Sequence, residues 1–201
     1  MLTELRSALR PACVLLIGFT LLLGIAYPLL VTGIAQLALP AQANGSLVRS
    51  GGTVIGSALI GQDFTSPRYF HPRASAAGKG HDASASSGSN LAPGSKDLAD
   101  RIAASVQVLR AEGVTGAIPG DMVTTSGSGL DPDISPAAAR VQAARVARAR
   151  GMTAAEITAL VETQVQTGVL GEPRVNVLAI NRELDRISAR IPAPKAAKPA
   201  A

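Results

Sequence analysis

From Pro11 to Leu39 the chain carries no charged side chain. A helix needs roughly 20 apolar residues to cross a hydrocarbon core, and this run is longer. Gly24, Pro28 and Gly33 would be poor choices in a water-soluble helix but are tolerated in membrane helices. Pro28 is the expected kink, and Tyr27 is the run's only aromatic with a polar tip. Thr32 and Gln36 mark the end that leaves the hydrocarbon or faces a partner. A cleaved secretory signal is the competing reading, because Ala41-Gln42-Ala43 fits a signal-peptidase pattern. Signal h-regions run about 7–15 residues, well short of this one, which favours an uncleaved anchor. Cys13 lies at the start of the apolar run, the wrong place for a lipoprotein. It is also the only cysteine, which excludes an intrachain disulfide or a multi-cysteine metal site.

The flanks orient the span. Arg6 and Arg10 precede it and the next basic residue is Arg49, so the positive-inside rule puts residues 1–10 in the cytoplasm. The expected division is a transmembrane helix over 11–35, an extracytoplasmic domain over 36–185 and a disordered basic tail over 186–201. The net charge of +5 resembles a nucleic-acid signal until the charges are placed. Between residues 37 and 185 there are 13 Lys/Arg against 13 Asp/Glu, and the excess sits at the two ends. The body therefore has no charge footprint for nucleic acid.

Local patterns predict a small α+β domain after the helix, a mixed α/β body. Residues 46–60 read as a hairpin turning at Gly51-Gly52. Residues 74–95, almost wholly Ala, Ser and Gly, read as loop. This is either a slack linker or an ordered segment kept small because a partner's backbone approaches it. Leu98, Ile102, Val106 and Leu109 give one apolar face on a helix over 96–112, capped by Ser95 and ended by Gly113. Residues 121–125 suit a short strand, and Asp131-Pro132 a turn. Ser135-Pro136 opens an Ala-rich helix stopping at Gly151. Thr153 and Glu156 form a capping box for the next helix, lined by Ile157, Leu160, Val161 and Val165. Asn176 caps a last helix carrying Val177, Ile180 and Leu184. The tail beyond Arg186 alternates Ala, Pro and Lys and cannot build a core.

Catalytic patterns are missing. No G-x-S-x-G or phosphate-binding Gly-Lys-Ser/Thr occurs, and Asp131 and Asp133 lack the spacing and distal Glu of a calcium loop. No metal site or bound cofactor is expected. His71 and His81 read as solvated loop histidines. Arg140, Arg145, Arg148 and Arg150 read as a solvated helix face, or as a surface for anionic headgroups or an acidic partner. Five blocks of small, specific residues remain unexplained by catalysis: GSALIGQDF (56–64), YFHPRASA (69–76), SSGSNLAPGS (86–95), VTTSGSGLDPDIS (123–135) and GEPRVNVLAIN (171–181).

In this order, after an N-terminal anchor, the blocks resemble the C chain of the bacterial potassium-transporting P-type ATPase, the KdpC family. The resemblance runs to about Asp185 and departs from the usual pattern at Pro72-Arg73-Ala74, His81 and Asp133. It implies a non-catalytic accessory subunit in the bacterial inner membrane. The implied partners are a channel-like potassium-translocating subunit, a P-type ATPase subunit and a small membrane peptide. The complex, not this chain, handles ATP and potassium. The implied role is a catalytic chaperone that raises the ATPase subunit's affinity for ATP. Ser87, Gly88, Ser89 and Asn90 resemble a segment likened to a nucleotide-binding signature, although the predicted topology separates them from cytosolic ATP. The expected docking residues are Gly61, Gln62, Tyr69, Phe70, Ser89, Asn90, Ser126, Gly127, Ser128, Gly129 and Asp131. A free-standing tethered binding module is the alternative.

Overall fold

The computed structural model describes residues 2–190. The described residues divide into two units, one up to Leu47 and one from Val48 onward. In the first, α1 (Leu2–Leu21) passes through a π turn (Leu22–Ala26) into α2 (Tyr27–Ala38). The stretch Arg6–Ala38, 33 residues, is long and apolar enough to cross a membrane. At about 1.5 Å per residue it measures roughly 50 Å. Proline cannot donate to the residue four back and its ring crowds that carbonyl. Here the strain at Pro28 is taken up by the π turn just before it, where the Tyr27 amide donates to the Leu22 carbonyl. A short α3 (Pro40–Ala43) follows, and Asn44 Nδ2 donates to Gln36 Oε1 at 2.9 Å.

In the second unit the predicted hairpin forms. β1 (Leu47–Ser50) and β2 (Thr53–Ser57) join through Gly51 and Gly52, both with positive φ (+55° and +84°), as a tight two-residue turn requires. Residues 61–95 contain no helix or strand. α4 (Lys96–Ala111) starts where Ser95 Oγ accepts from the Leu98 amide. α5 (Pro136–Arg150) starts under Ser135 and ends at Gly151, whose φ of +67° fits only glycine comfortably. α6 (Ala154–Gln164) carries the reciprocal Thr153–Glu156 box. α7 (Val177–Arg190) begins where Asn176 Oδ1 accepts from the Ala179 amide. Two short strands, β3 (Asp133–Ile134) and β4 (Val175–Asn176), pair antiparallel and tie the entrances of α5 and α7 together.

The core is built by α5, α6 and α7 over the β3–β4 pair, with Phe70 inserted from the long loop. α5 contributes Ala138, Ala139, Ala143, Val146 and Ala147, small side chains that let α6 approach closely with Ile157, Leu160 and Val161. α7 adds Val177, Ile180 and Leu184.

Two expectations are corrected here. Residues 121–125 are not a strand. Gly120–Met122 is a 3₁₀ turn, because the Asp121 carboxylate is drawn to the α5 entrance, accepting from the Ser135 amide at 2.7 Å and its hydroxyl at 3.1 Å. α7 continues past Arg186 to Arg190, since Ile187 extends the apolar face of Ile180 and Leu184 onto the core and Arg186 pairs with Glu183. The rest of the expected tail, 191–201, lies outside the described residues. The expected helix at 96–112 forms as α4 with its apolar face, and none of its residues is buried.

Candidate functional site

The long loop is pinned to the core residue by residue. Asn181, 1% exposed on α7, accepts from the Phe70 amide at 2.8 Å and donates to the Phe70 carbonyl at 2.9 Å. Gln142, 4% exposed on α5, does the same for His71, at 2.7 and 3.1 Å. Two carboxamides thus act as a one-residue strand on either side of the chain, satisfying backbone groups that burial would otherwise strand. Phe70 itself is fully buried, so it anchors the loop rather than presenting a surface.

Residues 74–95 are ordered, but the expectation of a partner's backbone is corrected: the backbone that approaches them is the chain's own. The Ser87 amide and the Ser86 hydroxyl both donate to the Ser128 carbonyl, at 3.0 and 2.9 Å. Ser75 Oγ donates to the Gly129 carbonyl at 2.6 Å and accepts from the His81 amide at 2.9 Å. A side chain at Gly129 would put its Cβ 2.6 Å from the Ser87 carbonyl oxygen, and one at Gly88 would lie 2.9 Å from that of Gly127. Gly61 donates to the Leu130 carbonyl at 2.7 Å, and a Cβ there would lie 2.6 Å from Asp131 O. The segments 61, 74–90 and 126–131 therefore form one layer of close backbone contacts.

Arg73 stitches this layer to its neighbours, reaching Asp131 Oδ2 at 3.1 Å and the Thr125 carbonyl at 3.2 Å. Asp131 Oδ1 accepts from the Asp133 amide, the expected turn. Gly127 and Ser128 are exposed at its surface and Ser126 is buried. Asn90 takes a left-handed φ of +52° and is exposed, while Ser89 is half-buried. Gln62 and Tyr69 lie elsewhere, in a groove along α7 with Asn181 and Asp185. The sequence-named residues thus fall in three places: the loop layer, the α7 groove and, for Phe70, the core.

The arginines of α5 do not form a free basic face. Arg140 makes a bidentate pair with Glu162 across to α6. Arg145 donates to the Pro67 and Tyr69 carbonyls at 3.0 Å and lies 3.4 Å from Glu112. Arg148 reaches the Glu112 carbonyl. Arg150, its side chain 1% exposed, pairs with Asp185 at 2.8 Å and stacks 4.9 Å from the Tyr69 ring centroid. The Tyr69 hydroxyl donates to Asp185 at 3.0 Å, and burial with that carboxylate pushes its pKa up. Helical spacing could not reveal these partners, which lie at 67–69, 112, 162 and 185.

Both histidines are also held. His81 Nδ1 lies 2.6 Å from Asp63 Oδ1. His71 Nε2 lies 3.1 Å from the Ser66 carbonyl oxygen and 3.2 Å from the Arg145 guanidinium. Burial, then the Arg145 charge, pull the His71 pKa below its ordinary 6.5, against weaker opposing effects of Ser66 and Glu112. The unfolded chain therefore binds this proton first as pH falls, so stability declines from about pH 6.5 down to the lower folded pKa. His71→Gln should flatten that part of the profile, read as melting temperature at pH 7.5 and 5.0. An unchanged slope would remove His71 as its source.

Among the described residues no group of three or more His, Cys, Asp or Glu is arranged to hold a metal ion. No nucleophile, base and orienting acid come together in the contacts above. What the arrangement offers is a small-residue surface at Gly127–Ser128 and a polar groove along α7.

These features define a class: a small mixed α/β domain, joined in one chain to a single helix able to span a membrane. Profile comparison matches residues 9–186 to the family described as K+-transporting ATPase, c chain. A protein of Caulobacter vibrioides named potassium-transporting ATPase KdpC subunit is 62% identical over 183 residues, covering 89% of this chain and 93% of that one. Similar proteins with the same name occur in Caulobacter sp. strain K31, 59% identical over 93% of this chain and 96% of its own, and in Gemmatimonas aurantiaca, 59% identical over 92% and 95%. The chain belongs to the KdpC family.

Proposed function

We propose that this chain is an accessory, non-catalytic subunit of an ATP-driven potassium uptake complex. The observation that carries the reading is the family match over residues 9–186, which takes in the spanning helix and nearly all of the folded domain. The helix holds the chain in the bacterial inner membrane with residues 1–10 cytoplasmic and the domain outside. Arg6 and Arg10 before the span support this orientation. The domain rests on the channel-like subunit, and the ATPase subunit and small peptide complete the assembly.

The Ser87–Asn90 segment then acts without touching nucleotide. Its Ser87 amide is already spent on Ser128, which leaves it unavailable to cradle a phosphate. Any rise in the ATPase subunit's affinity for ATP is a coupling between distant sites, typically about 1–3 kcal/mol. The loop layer supplies the rigid docking face, with Gly127 and Ser128 at its surface.

Two measurements test this. A reporter active only outside the cytoplasm, fused after Arg190, should be active on a full-length, membrane-retained chain. A mature N-terminus at Asn44 would overturn the anchor. Gly127→Trp adds bulk where nothing lies within 4 Å of its Cβ. It should leave the domain's melting temperature unchanged and lower recovery of the partner subunits through a tag on this chain. Unchanged recovery would exclude 126–129 from the interface.

A further inference from the structure

The apolar face of α4 buries none of its residues, and that face and the core line a common cavity of about 260 Å³. Val108 and Leu109 of α4, Pro72 of the long loop, Met122 of the 3₁₀ turn and Ile134 of β3 supply its apolar wall. The volume lies just under the range of about 300–1,000 Å³ usual for small-molecule sites, room for a body of a single ring.

The polar groups in the wall are either spent or negative. Gln142 Oε1 accepts from the His71 amide and from Arg145 Nη2, and its Nε2 donates to the His71 carbonyl. The Ser105 hydroxyl donates to the Arg101 carbonyl at 3.0 Å. Burial, then the Arg145 charge, lower the His71 pKa from its ordinary 6.5, so the ring is neutral at pH 7. Two carboxylates remain. Glu112 lies 3.4 Å from Arg145, which answers part of its charge. Asp121 accepts from the Ser135 amide and hydroxyl, both neutral donors, and keeps its full charge.

We propose that this cavity binds a compact organic cation, a protonated amine on a small apolar body. Its ammonium meets Asp121 and Glu112, and its body packs on Val108, Leu109, Met122 and Ile134. A neutral ligand would leave the carboxylate charge unanswered, and an anion would be repelled by it. A bare hard cation is served worse, because it takes six or more oxygen ligands. Among the described residues no group of three or more His, Cys, Asp or Glu is arranged to hold one. A ligand seated here touches α4 and the core together, and so holds the helix down.

The test follows amide exchange of α4 in the full chain in detergent, with benzylamine as the probe. Exchange needs α4 to open, and a ligand that binds only the closed form slows it in proportion to its occupancy. At about ten times the dissociation constant read from the same titration, benzylamine should slow the α4 amides about tenfold. Benzoate and potassium ion at that concentration should leave them within about twofold of the free chain. Ser105→Leu fills the cavity and should abolish the benzylamine effect. Ala104→Leu, exposed on the same helix, should keep it. Asp121→Asn should lower the preference for benzylamine over benzyl alcohol about tenfold, the weight of one hydrogen bond to a charged group. If that variant melts early, Glu112→Gln, away from the α5 entrance, gives the same reading. No slowing of α4 at millimolar benzylamine overturns the proposal, as does equal slowing by benzoate or potassium ion. So does slowing that survives Ser105→Leu, an equal loss with Ala104→Leu, or a preference that neither carboxylate variant changes. Slowing of α5–α7 without α4 would put benzylamine elsewhere on the domain and overturn it too.

Discussion

Asn181→Leu should lower the melting temperature of the domain by about 6–12 °C, at roughly 2–4 °C per kcal/mol for a chain of this size. Leucine has the same branched heavy-atom skeleton as asparagine with bulkier ends, so the site stays filled while both hydrogen bonds to Phe70 are lost. The Phe70 amide and carbonyl are then buried without partners, at about 1–3 kcal/mol each. With native stability typically about 5–15 kcal/mol, that is a large share of the total. The loss should also spread. Releasing residue 70 frees a fully buried aromatic ring and slackens the Arg145 bonds to the Pro67 and Tyr69 carbonyls. Thermal unfolding of the full chain in detergent, followed by near-ultraviolet circular dichroism, measures it. A shift under about 2 °C would mean that water replaces the carboxamide and the clamp contributes little.

Gly129→Val should be worse, and should separate the loop layer rather than soften the core. The backbone at this position is left-handed, with φ of +67°, a conformation that costs an ordinary residue about 1–2 kcal/mol. The new Cβ would also meet the Ser87 carbonyl and the Ala77 amide, at 2.6 and 2.7 Å. Both neighbours are backbone, which cannot rotate aside, so the two segments must part. The expected result is rapid protease cleavage within 74–95 and loss of partner recovery, while α5–α7 remain helical. Unchanged protease resistance would show that the layer can slide to make room. Gly88→Arg belongs with this variant, because its Cβ would press on the Gly127 carbonyl. It probes folding before it probes docking.

What could be read from the sequence was mostly local. Ser95, Ser135-Pro136, Thr153 with Glu156, Gly151 and Asn176 each act within four residues of themselves, and the starts of α4 to α7 and the end of α5 followed from them. The apolar spacing of α6 and α7 identified Ile157, Leu160, Val161, Val177, Ile180 and Leu184 as core. The layer of small residues was visible as five blocks, but not its purpose. Ser87 and Ser128 are 41 positions apart, and their contact runs through backbone atoms that every residue type shares. Gln142 and Asn181 carried no signal as clamps, since a polar residue inside a helical pattern looks like an exposed one. The arginines of α5 misled for a related reason. Their partners include carbonyls at 67–69, Glu112 just past α4, and acids on α6 and α7, so no charge pattern along α5 could distinguish a solvated face from a saturated one. For α4 the spacing predicted an apolar face correctly, yet could not say how much of it a neighbour covers.

That half-covered helix sets a hierarchy of openings within the domain. Its sixteen residues contribute none to the buried core, and its ties include Ser95, the Glu112 contacts and Arg110 bonds to the Val114 and Gly116 carbonyls. Detaching it exposes little new apolar surface, whereas opening α5–α7 exposes nearly all of it. The amides of α4 therefore exchange with solvent through a local opening that leaves Phe70 and its clamps in place. Those of α5 and α7 must wait for global unfolding. The domain keeps one helix whose detachment is cheap, set against a core that opens only as a whole.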